Sequence, residues 1–547
     1  MQKMVTGIPF GFTAENDSLY IADRAVYDIY PEDAVEICDE KYRGLRCKIK
    51  ATLDFKAWIV LKNKKNITLD FRGAKIVLHG KIQPFLLDGA ENITIKNCSV
   101  TANRPSYTES LILEKTEDRV LLKLNPRCTC RIEDGELIPY GDGWENHNLD
   151  RGGMFYQVFD PVTAEDYGYL LGACGKEFRF NPDRPWRPSF FHVEDAGDGC
   201  FALTGPIPEF FQPGRVLTIT HEPRNLASVY AIDCQNLTVE NYRILCGMGM
   251  GLFLFRTGNI TVDGYRLFHD EASPCVVTNA ADAFHTFACT GTITIKNSVF
   301  ENMIDDAINI HGNFHTVAAV EDGALILDRG SCEEEADFAF GVGDTIAVYR
   351  GLTLEETARY TVKAIEDIEE AKQRFIVDGP VKEHQKGDLV ENLSGYADVT
   401  VENCRFGKAI SNLRLQNRGK FVMKNCVCGL PVQLTGDATF WFESGPMQDL
   451  LITDCTFTRP QASVRIVPEV LATEKAPYYH ENIRIENCTF AGTVPVEGWM
   501  ANNLTLTGNK QRDGLPMTLK LADCGTVNAE NCTVERSTRK DKALNIN

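Results

Sequence analysis

The sequence predicts an all-β protein, a right-handed parallel β-helix with two inserted small antiparallel β-barrel or sheet domains. Three observations predict this fold. A short strand-like phrase recurs along the chain, its closing Asn returns at a regular interval, and two long stretches interrupt the pattern. A repeat period of roughly 20 to 50 residues is typical of solenoids and other stacked arrays.

The recurring phrase alternates apolar and polar residues, which is the period of a β-strand. Later copies close on Asn403 and Asn425, which are 22 residues apart, and on Asn487, Asn509 and Asn531, which follow at the same interval of 22. Strand phrases at this spacing fit coils that stack at β-strand distance. A leucine-rich repeat or an antiparallel sandwich would not require one strand and one fixed Asn per repeat.

A cysteine often follows the residue that closes the phrase. The six are Cys98, Cys404, Cys426, Cys455, Cys488 and Cys532. Stacked coils would align them as a ladder of small buried side chains. The 19 cysteines are an odd number in a long chain, so we expect reduced, mostly buried thiols instead of a disulfide scaffold. They lack the paired spacing of a zinc site, so we expect no structural metal.

The two interruptions divide the chain into five parts. We expect an N-terminal cap and first coils at 1–100, an inserted β domain at 101–222, coils with the site at 223–312, an inserted barrel-like domain at 313–395, and C-terminal coils at 396–547. An open coil end is an exposed sheet edge. Either the chain ends cap it or a partner subunit does so in a homo-oligomer, and the sequence leaves both open.

Composition limits the partners. The chain has 547 residues and a formal net charge of −19, which disfavours nucleic acid, anionic membranes and polyanionic substrates. No apolar stretch of about 18 residues predicts a transmembrane helix, and the start does not resemble a signal peptide. The sequence as written predicts a cytoplasmic protein, or a secreted one if a leader precedes it.

The segment 279–314 holds the residues most suggestive of catalysis. Asp282 precedes Asp305 by 23 residues, about one coil, so stacked coils would bring it beside the pair Asp305 and Asp306. Carboxylates so close repel one another when ionised, and at least one pKa should rise. A protonated carboxyl beside ionised ones suits the acid–base chemistry of glycoside hydrolysis. The alternative is that these residues only form surface turns.

Three motifs in this region resemble those of glycoside hydrolase family 110, the α-1,3-galactosidases. They are ADAFHTF, ENMIDDAINIHG and GDATFWFESG, and the stretch 221–251 is also similar. The resemblance runs over most of residues 221–490. It implies a parallel β-helix with barrel inserts. It also implies an inverting, exo-acting enzyme, without metal or other cofactor, that removes terminal α-1,3-linked galactose from oligosaccharides or glycoconjugates.

The resemblance implies that Asp282, Asp305 and Asp306 are the catalytic carboxylates. By analogy with polygalacturonases, which look similar at the Asp-Asp and His-Gly positions, we expect Asp305 to be the general acid and the other two to hold the water. The substrate-binding candidates are Asn309, His311, Trp441, Glu443 and Arg224. An aromatic ring can stack on the apolar face of a sugar, and a carboxylate can accept its hydroxyl hydrogen bonds.

Two other functions stay open at this point. A polygalacturonase-like enzyme would use an Arg-x-Lys pair, which Arg418-Gly-Lys420 would supply, although the charge of −19 disfavours a polyuronate substrate. A non-catalytic carbohydrate-binding β-helix would explain the repeat but not the clustered acids. Replacing any of the three Asp residues would then leave function unchanged.

Overall fold

A computed structural model describes the following residues: 12–14, 18–37, 55–147, 149–151, 155–179, 187–221, 226–328, 339–369, 372–409, 411–471, 473, 475 and 477–538. Their regular structure consists of β-strands and of three short 3-10 helices, Pro31–Asp33, Leu149–Arg151 and Gly351–Thr353. The prediction of an all-β chain is confirmed. Within these ranges no helix is long and apolar enough to cross a bilayer.

Most strands belong to two long sheets, in which neighbouring strands are almost all parallel. The strands of the first sheet are Phe12–Ala14, Leu19–Ala22, Val26–Ile29, Lys65–Leu78, Glu91–Ala102, Gln235–Cys246, Gly258–Asp263, Arg266–Leu267, Thr290–Lys296, Val299–Glu301, Ala397–Glu402, Arg405–Gly407, Lys420–Lys424, Val427–Cys428, Asp449–Thr453, Thr456–Phe457, His480–Glu486, Thr489–Phe490, Ala501–Thr507, Lys510–Gln511 and Val527–Ala529.

The second sheet takes one strand from nearly every coil. Its strands are Val35–Ile37, Phe55–Lys62, Ile82–Asp88, Ala227–Ile232, Met250–Phe255, Phe284–Phe287, Ile308–Glu321, Leu413–Leu415, Val432–Leu434, Glu443–Ser444, Val464–Ile466, Val496–Trp499, Met517–Ala522 and Cys532–Ser537. Because the chain alternates between the two sheets, each return adds one or two strands to the first sheet and, in most coils, one strand to the second, nearly all in parallel register. The predicted stacking of parallel coils is confirmed, and the right-handed sense of the winding stays a prediction.

Stacked apolar side chains fill the space between the sheets. Ile260 is in register with Ile293, Ile293 with Val399, and Val399 with Phe421, and all four are almost fully buried. The alternating phrase explains this pattern, because every second side chain of a strand points to the same face. Burial of the inward row supplies the main stabilising free energy of the coils.

Asparagines at the coil corners form a second ladder. Asn66, Asn92, Asn236 and Asn259 have φ values of 58°, 56°, 57° and 54°, in the left-handed region that Asn tolerates better than most residues. The Nδ2 atom of each donates to the Oδ1 atom of its predecessor, at 2.8, 2.7 and 3.0 Å along the series. These asparagines, which lie at the start of the strand phrase, therefore stabilise the coil corners.

Four of the six predicted members form the cysteine ladder: Cys404, Cys426, Cys455 and Cys488, which lie on adjacent coils. Cys98 is instead in register with Ala74 and Tyr242, and Cys532 with Met517 on the second sheet. Cys98, Cys404, Cys426, Cys455 and Cys488 are buried free thiols, and Cys532 is half-buried. The backbone N–H of Cys426 donates to the Cys455 sulfur at 3.4 Å, which places adjacent coils in direct contact. These thiols pack in the core, which agrees with their predicted structural role.

The first insert closes on itself. Its ring consists of Tyr107–Lys115, Arg119–Leu124, Cys200–Thr204, Ser189–Gly197, Asp166–Cys174, Phe155–Phe159 and Val216–Thr220. Every neighbouring pair is antiparallel except Asp166–Cys174 with Ser189–Gly197, which is parallel. Between the ring strands Arg119–Leu124 and Phe155–Phe159, the chain forms a small antiparallel sheet. Its strands are Cys130–Glu133, Glu136–Gly141 and Trp144–Glu145.

The second insert grows directly out of a coil strand. Ile308–Glu321 begins in the second sheet and continues into a ring with Ala324–Asp328, Lys372–Val377, Glu355–Glu369, Thr345–Arg350 and Leu389–Asn392. All of these insert pairings are antiparallel. The insert therefore shares a strand with the coil that carries the predicted site. The domain limits drawn from the sequence stay predictions.

Candidate active site

The three predicted catalytic carboxylates lie on two turns that lead from the first sheet to the second. Asp282 lies just before the strand Phe284–Phe287, and Asp305 and Asp306 lie just before Ile308–Glu321. The two strands are parallel neighbours. The turns before them must therefore lie one above the other, as the spacing of about one coil predicts.

Backbone pairing continues through these turns. Asn279 forms a parallel bridge with Met303, and the backbone N–H of Ala283 donates to the carbonyl of Asp306 at 2.9 Å. The carboxylates of Asp282, Asp305 and Asp306 consequently approach one another, each offering an oxygen within 4.8 Å of the others. The structure thus brings together the trio that the sequence predicts.

Asp306 is the member of the trio with the clearest shift in pKa. Its side chain is buried, and the Ser411 hydroxyl donates to its Oδ1 at 2.6 Å. Burial, followed by the charges of Asp282 and Asp305, raises the pKa of Asp306 to about 8. The trio therefore retains a proton at neutral pH, as general acid–base catalysis requires.

Asp282 is held by one oxygen and open at the other. Its Oδ2 lies 2.6 Å from Nδ1 of His285, and both side chains are almost completely buried. Its Oδ1 is buried but finds no hydrogen-bond partner among the described residues. A buried carboxylate oxygen of this kind is able to accept a hydrogen bond from a water or a sugar hydroxyl.

A second histidine extends this contact. His285 Nε2 lies 3.0 Å from Nε2 of His311, and His311 Nδ1 lies 2.8 Å from the carbonyl oxygen of Gly312. Aromatic rings of the second sheet pack against both. The ring centroid of Phe253 is 5.1 Å from that of His285, and Phe287 is stacked on His311 at 5.8 Å.

Glu443 anchors the other side of the site. Its carboxylate accepts hydrogen bonds from Arg414 Nε and Gln416 Nε2, both at 2.5 Å, and from Asn309 Nδ2 at 3.3 Å. Burial would raise its pKa, but the charges of Arg414 and then His311 hold the pKa of Glu443 far below its ordinary value. Glu443 is therefore an ionised, buried acceptor within 3.8 Å of His311 Nε2.

The register of the second sheet explains why these groups meet. His285 is opposite Asn309, and Asn309 is opposite Arg414 on the next strand. Glu443 reaches them because Glu443–Ser444 pairs antiparallel with Asn313 and Gly312. Two predicted binding residues, Asn309 and Glu443, therefore touch each other, and a third, His311, lies beside them.

Two other predicted residues are less directly placed. Trp441 is half-exposed, its backbone N–H donates to Asp437 at 2.9 Å, and its ring packs edge-on against Phe440 at 4.5 Å between centroids. It lies two residues before Glu443, and its role in stacking on a sugar stays a prediction. Arg224 lies outside the described residues.

The Arg-x-Lys pair does not form a free cationic clamp. Arg418 donates to both oxygens of Glu391, at 2.9 and 2.7 Å, and to the hydroxyl of Tyr349 at 2.9 Å. Glu391 is fully buried, and the charge of Arg418 helps to hold its pKa low against the effect of burial. The guanidinium is therefore already paired, and Lys420 lies on the first sheet instead of the second.

The trio also marks where a cation would have to bind if one were needed. Within the described ranges it is the one group of three or more acidic, His or Cys side chains whose ligand atoms all lie within 4.8 Å of one another. The proton that the trio retains provides another way to relieve the repulsion. Metal independence, which the resemblance implies, stays a prediction.

Four residues of the site were not predicted from the sequence: His285, Ser411, Arg414 and Gln416. His285 is part of the ADAFHTF motif, three residues after Asp282, and its closeness to a catalytic Asp could have drawn attention to it. The other three come from a coil beyond the second insert, more than 100 residues after Asp306. No local pattern in the sequence indicates that they return to this site.

Comparison with known proteins places the chain near one group of enzymes. It is 26% identical over 499 residues to α-1,3-galactosidase B of Bacteroides thetaiotaomicron, covering 86% of this chain and 77% of that protein. It is 25% identical over 486 residues to α-1,3-galactosidase A of Bacteroides fragilis, covering 85% and 76%. No family model matches the chain. The chain is thus similar over most of its length to proteins named α-1,3-galactosidases.

Solved structures give weaker likenesses. The Streptococcus pneumoniae surface protein and adhesin PfbA covers 88% of both chains with a TM-score of 0.32 and 9% identity. A family 28 exopolygalacturonase of Yersinia enterocolitica covers 85% of this chain and 73% of that chain with a TM-score of 0.25 and 9% identity. The description of the fold therefore rests on the strand pairings given above.

Proposed function

We propose that the protein is an inverting, exo-acting glycoside hydrolase that removes terminal α-1,3-linked galactose from oligosaccharides or glycoconjugates. The observation that carries the proposal is the stacked trio of Asp282, Asp305 and Asp306, which keeps a proton at neutral pH. The similarity to proteins named α-1,3-galactosidases supports the choice of sugar and linkage.

The proposed roles follow exposure as well as analogy. Asp305 is the least buried of the three, which suits a general acid that must reach the leaving oxygen of the substrate. Asp282 offers its unpartnered Oδ1 to the attacking water, and Asp306 lies beside it. In a coupled set the retained proton belongs to the set and not to one member, so the raised pKa of Asp306 is compatible with proton donation through Asp305.

Binding of the terminal sugar is proposed to use the second-sheet cluster. The ionised carboxylate of Glu443 and the amide of Asn309 present polar atoms beside the trio. Charge-assisted hydrogen bonds of this kind are stronger than neutral ones. Trp441, two residues from Glu443 and half-exposed, is the proposed platform for the apolar face of galactose.

The proposal of inversion rests on the resemblance. Inverting enzymes commonly hold their two carboxyl groups about 6.5 to 9.5 Å apart, and retaining enzymes about 5 to 5.5 Å apart. The nearest oxygens of this trio lie within 4.8 Å, a spacing that the simple rule would assign to retention. The rule concerns the distance between the general acid and the carboxylate that acts on the other side of the sugar, and three carboxylates offer more than one such pair. The anomer of the released galactose therefore decides between inversion and retention.

The first experiment compares hydrolysis by the wild type with hydrolysis by single Asn variants of Asp282, Asp305 and Asp306. The substrates are para-nitrophenyl α-galactoside and an α-1,3-linked galactose disaccharide. Loss of one catalytic carboxylate should lower kcat by at least about 100-fold. Asp398→Asn is the matched control, because Asp398 is an exposed carboxylate on the first sheet whose one hydrogen bond among the described residues is from the backbone N–H of Lys420.

Each outcome decides between the functions considered above. Galactose release that is lost in the three variants and kept in Asp398→Asn supports the proposal. Cleavage of polygalacturonate or of another α-glycoside, with neither galactoside cut, contradicts the substrate and retains the hydrolase. Carbohydrate binding without any cleavage, unchanged in the three variants, would show that the protein is a binding module.

A further inference from the structure

The contacts between Asp282, His285 and His311 require more protons than these three side chains carry in their usual neutral-pH forms. Three consecutive short contacts are present: 2.6 Å from Asp282 Oδ2 to His285 Nδ1, 3.0 Å from His285 Nε2 to His311 Nε2, and 2.8 Å from His311 Nδ1 to the carbonyl of Gly312. Each joins two electronegative atoms. Each therefore needs one proton between them to be attractive.

The count follows from the chemistry of the imidazole ring. An ionised Asp and two neutral histidines carry two ring protons in total, one per ring. The carbonyl of Gly312 cannot donate, so one proton must be on His311 Nδ1. The remaining two contacts then need two further protons, and the three side chains hold three in all. Asp282, His285 and His311 together therefore hold one proton more than an ionised Asp and two neutral histidines would. Their combined net charge is zero instead of −1.

The surroundings favour placing this extra proton on the histidines. Ionised Glu443 lies 3.8 Å from His311 Nε2, and its pKa is lowered in part by His311. Asp305 adds negative charge on the side of Asp282, and Arg414 is already paired with Glu443. On the sheet side the stacked ring of Phe287 presents a π-face to His311, which also favours a cation.

We propose that His285 and His311 share one extra proton as a charged pair, and that this pair positions Asp282 for catalysis. The imidazolium holds Oδ2 by a charge-assisted hydrogen bond, so that Oδ1 points to the reacting water. His285 is then a positioning residue, since it acts through Asp282. This second step rests on the proposed function, whereas the proton count does not.

The count is tested on the wild-type protein without substrate. Nitrogen-15 NMR of histidine-labelled protein at pH 7 reports which ring nitrogens carry protons, and variants at positions 285 and 311 assign the signals. Three protonated nitrogens out of four are expected. His480 is the internal reference for a neutral ring, because burial lowers its pKa to about 3 and its Nδ1 accepts from the N–H of Met447. Two or fewer protonated nitrogens would overturn the proposal.

The positioning role is tested with two isosteric variants. His285→Asn keeps an N–H near Oδ2 of Asp282 but cannot be charged, and His285→Gln keeps a donor toward His311 but loses the contact to Asp282. Both should lower kcat by about 10- to 100-fold with little change in KM, because the lost interaction acts on the reacting water. His192→Gln, at an exposed position of the first insert, should keep wild-type kcat.

The outcomes separate this proposal from the proposed function. Three protonated nitrogens together with full activity of both His285 variants would overturn the positioning role and leave the glycosidase proposal intact. If no glycoside is hydrolysed by the wild type, the proposed function fails, and the NMR count still decides whether the charged pair exists. If His285→Asn does not fold, His285→Gln and the wild-type spectrum together give the same decision.

Discussion

Asp306 should destabilise the folded protein at alkaline pH, and replacing it should reverse this. The pKa of Asp306 is raised from 3.8 to about 8, chiefly by burial and by its two acidic neighbours. The folded state therefore binds this proton more tightly than the unfolded chain does. The contribution of this proton to the free energy of unfolding is fully present below pH 4 and is lost progressively as the pH rises to 8.

The size of the effect follows from the same values. At about 1.4 kcal/mol per pKa unit, the interval from pH 5 to pH 8 corresponds to roughly 4 kcal/mol. Asp306→Asn removes the titration, keeps the shape of the side chain, and retains an oxygen for the hydroxyl of Ser411. The variant should be inactive, and its free energy of unfolding relative to wild type should increase by up to about 4 kcal/mol between pH 5 and pH 8.5.

The assay is equilibrium unfolding in urea, at pH 5 and at pH 8.5, for the wild type, Asp306→Asn and the exposed control Asp398→Asn. The informative quantity is the change with pH in the difference between each variant and the wild type. Asp398→Asn gives the baseline for loss of one carboxylate charge. If Asp306→Asn shows the same difference from wild type at both pH values, Asp306 does not keep its proton in the folded state and the reasoning is wrong.

Three further predictions concern the other parts of the site and the coils. Glu443→Gln leaves Arg414 without its buried ion partner. We expect the free energy of unfolding, measured in urea, to fall by about 3 kcal/mol and kcat/KM to fall about 100-fold. Unchanged kinetics would contradict the proposed role of Glu443. Asn236→Ala should lower the free energy of unfolding by about 1 to 2 kcal/mol, because the φ of this residue is 57° and two ladder hydrogen bonds are lost. Asn236→Gly should lower it by less, because Gly adopts this φ without strain. Equal losses in the two variants would show that backbone conformation is not the cause. Prolonged treatment with EDTA should leave the hydrolysis rate within about twofold, and a loss restored by a divalent cation would show that the trio binds metal.

The fold could be predicted from the sequence because its coils repeat. Asn425 and Cys426 show why, because each occupies the same place in its coil as Asn403 and Cys404, with a corner φ of 54° at both asparagines. A stacked architecture requires the same local solution in every coil, so a local pattern reports the global fold. The inserts have no such repeat, and their ring closure depends on long-range pairing that local alternation does not specify.

The site was predictable where it lies within one period. Asp282 and Asp306 come from adjacent coils that are consecutive in the sequence, so the spacing alone predicts their contact. Ser411 and Arg414 belong to the next coil in space, but the second insert separates them from Asp306 in the chain. The sequence therefore shows the acids, whose charges help to raise the pKa of Asp306, and not Ser411 and Arg414, which act to lower it.

The most direct test of the proposed function is the configuration of the first sugar released. Proton NMR during hydrolysis of an α-1,3-linked galactose disaccharide distinguishes the two anomers before they equilibrate. The proposed inverting reaction predicts that β-galactose appears first and that the signal is absent with Asp305→Asn. Initial release of α-galactose would contradict inversion, and the absence of any released galactose would contradict the proposed activity itself.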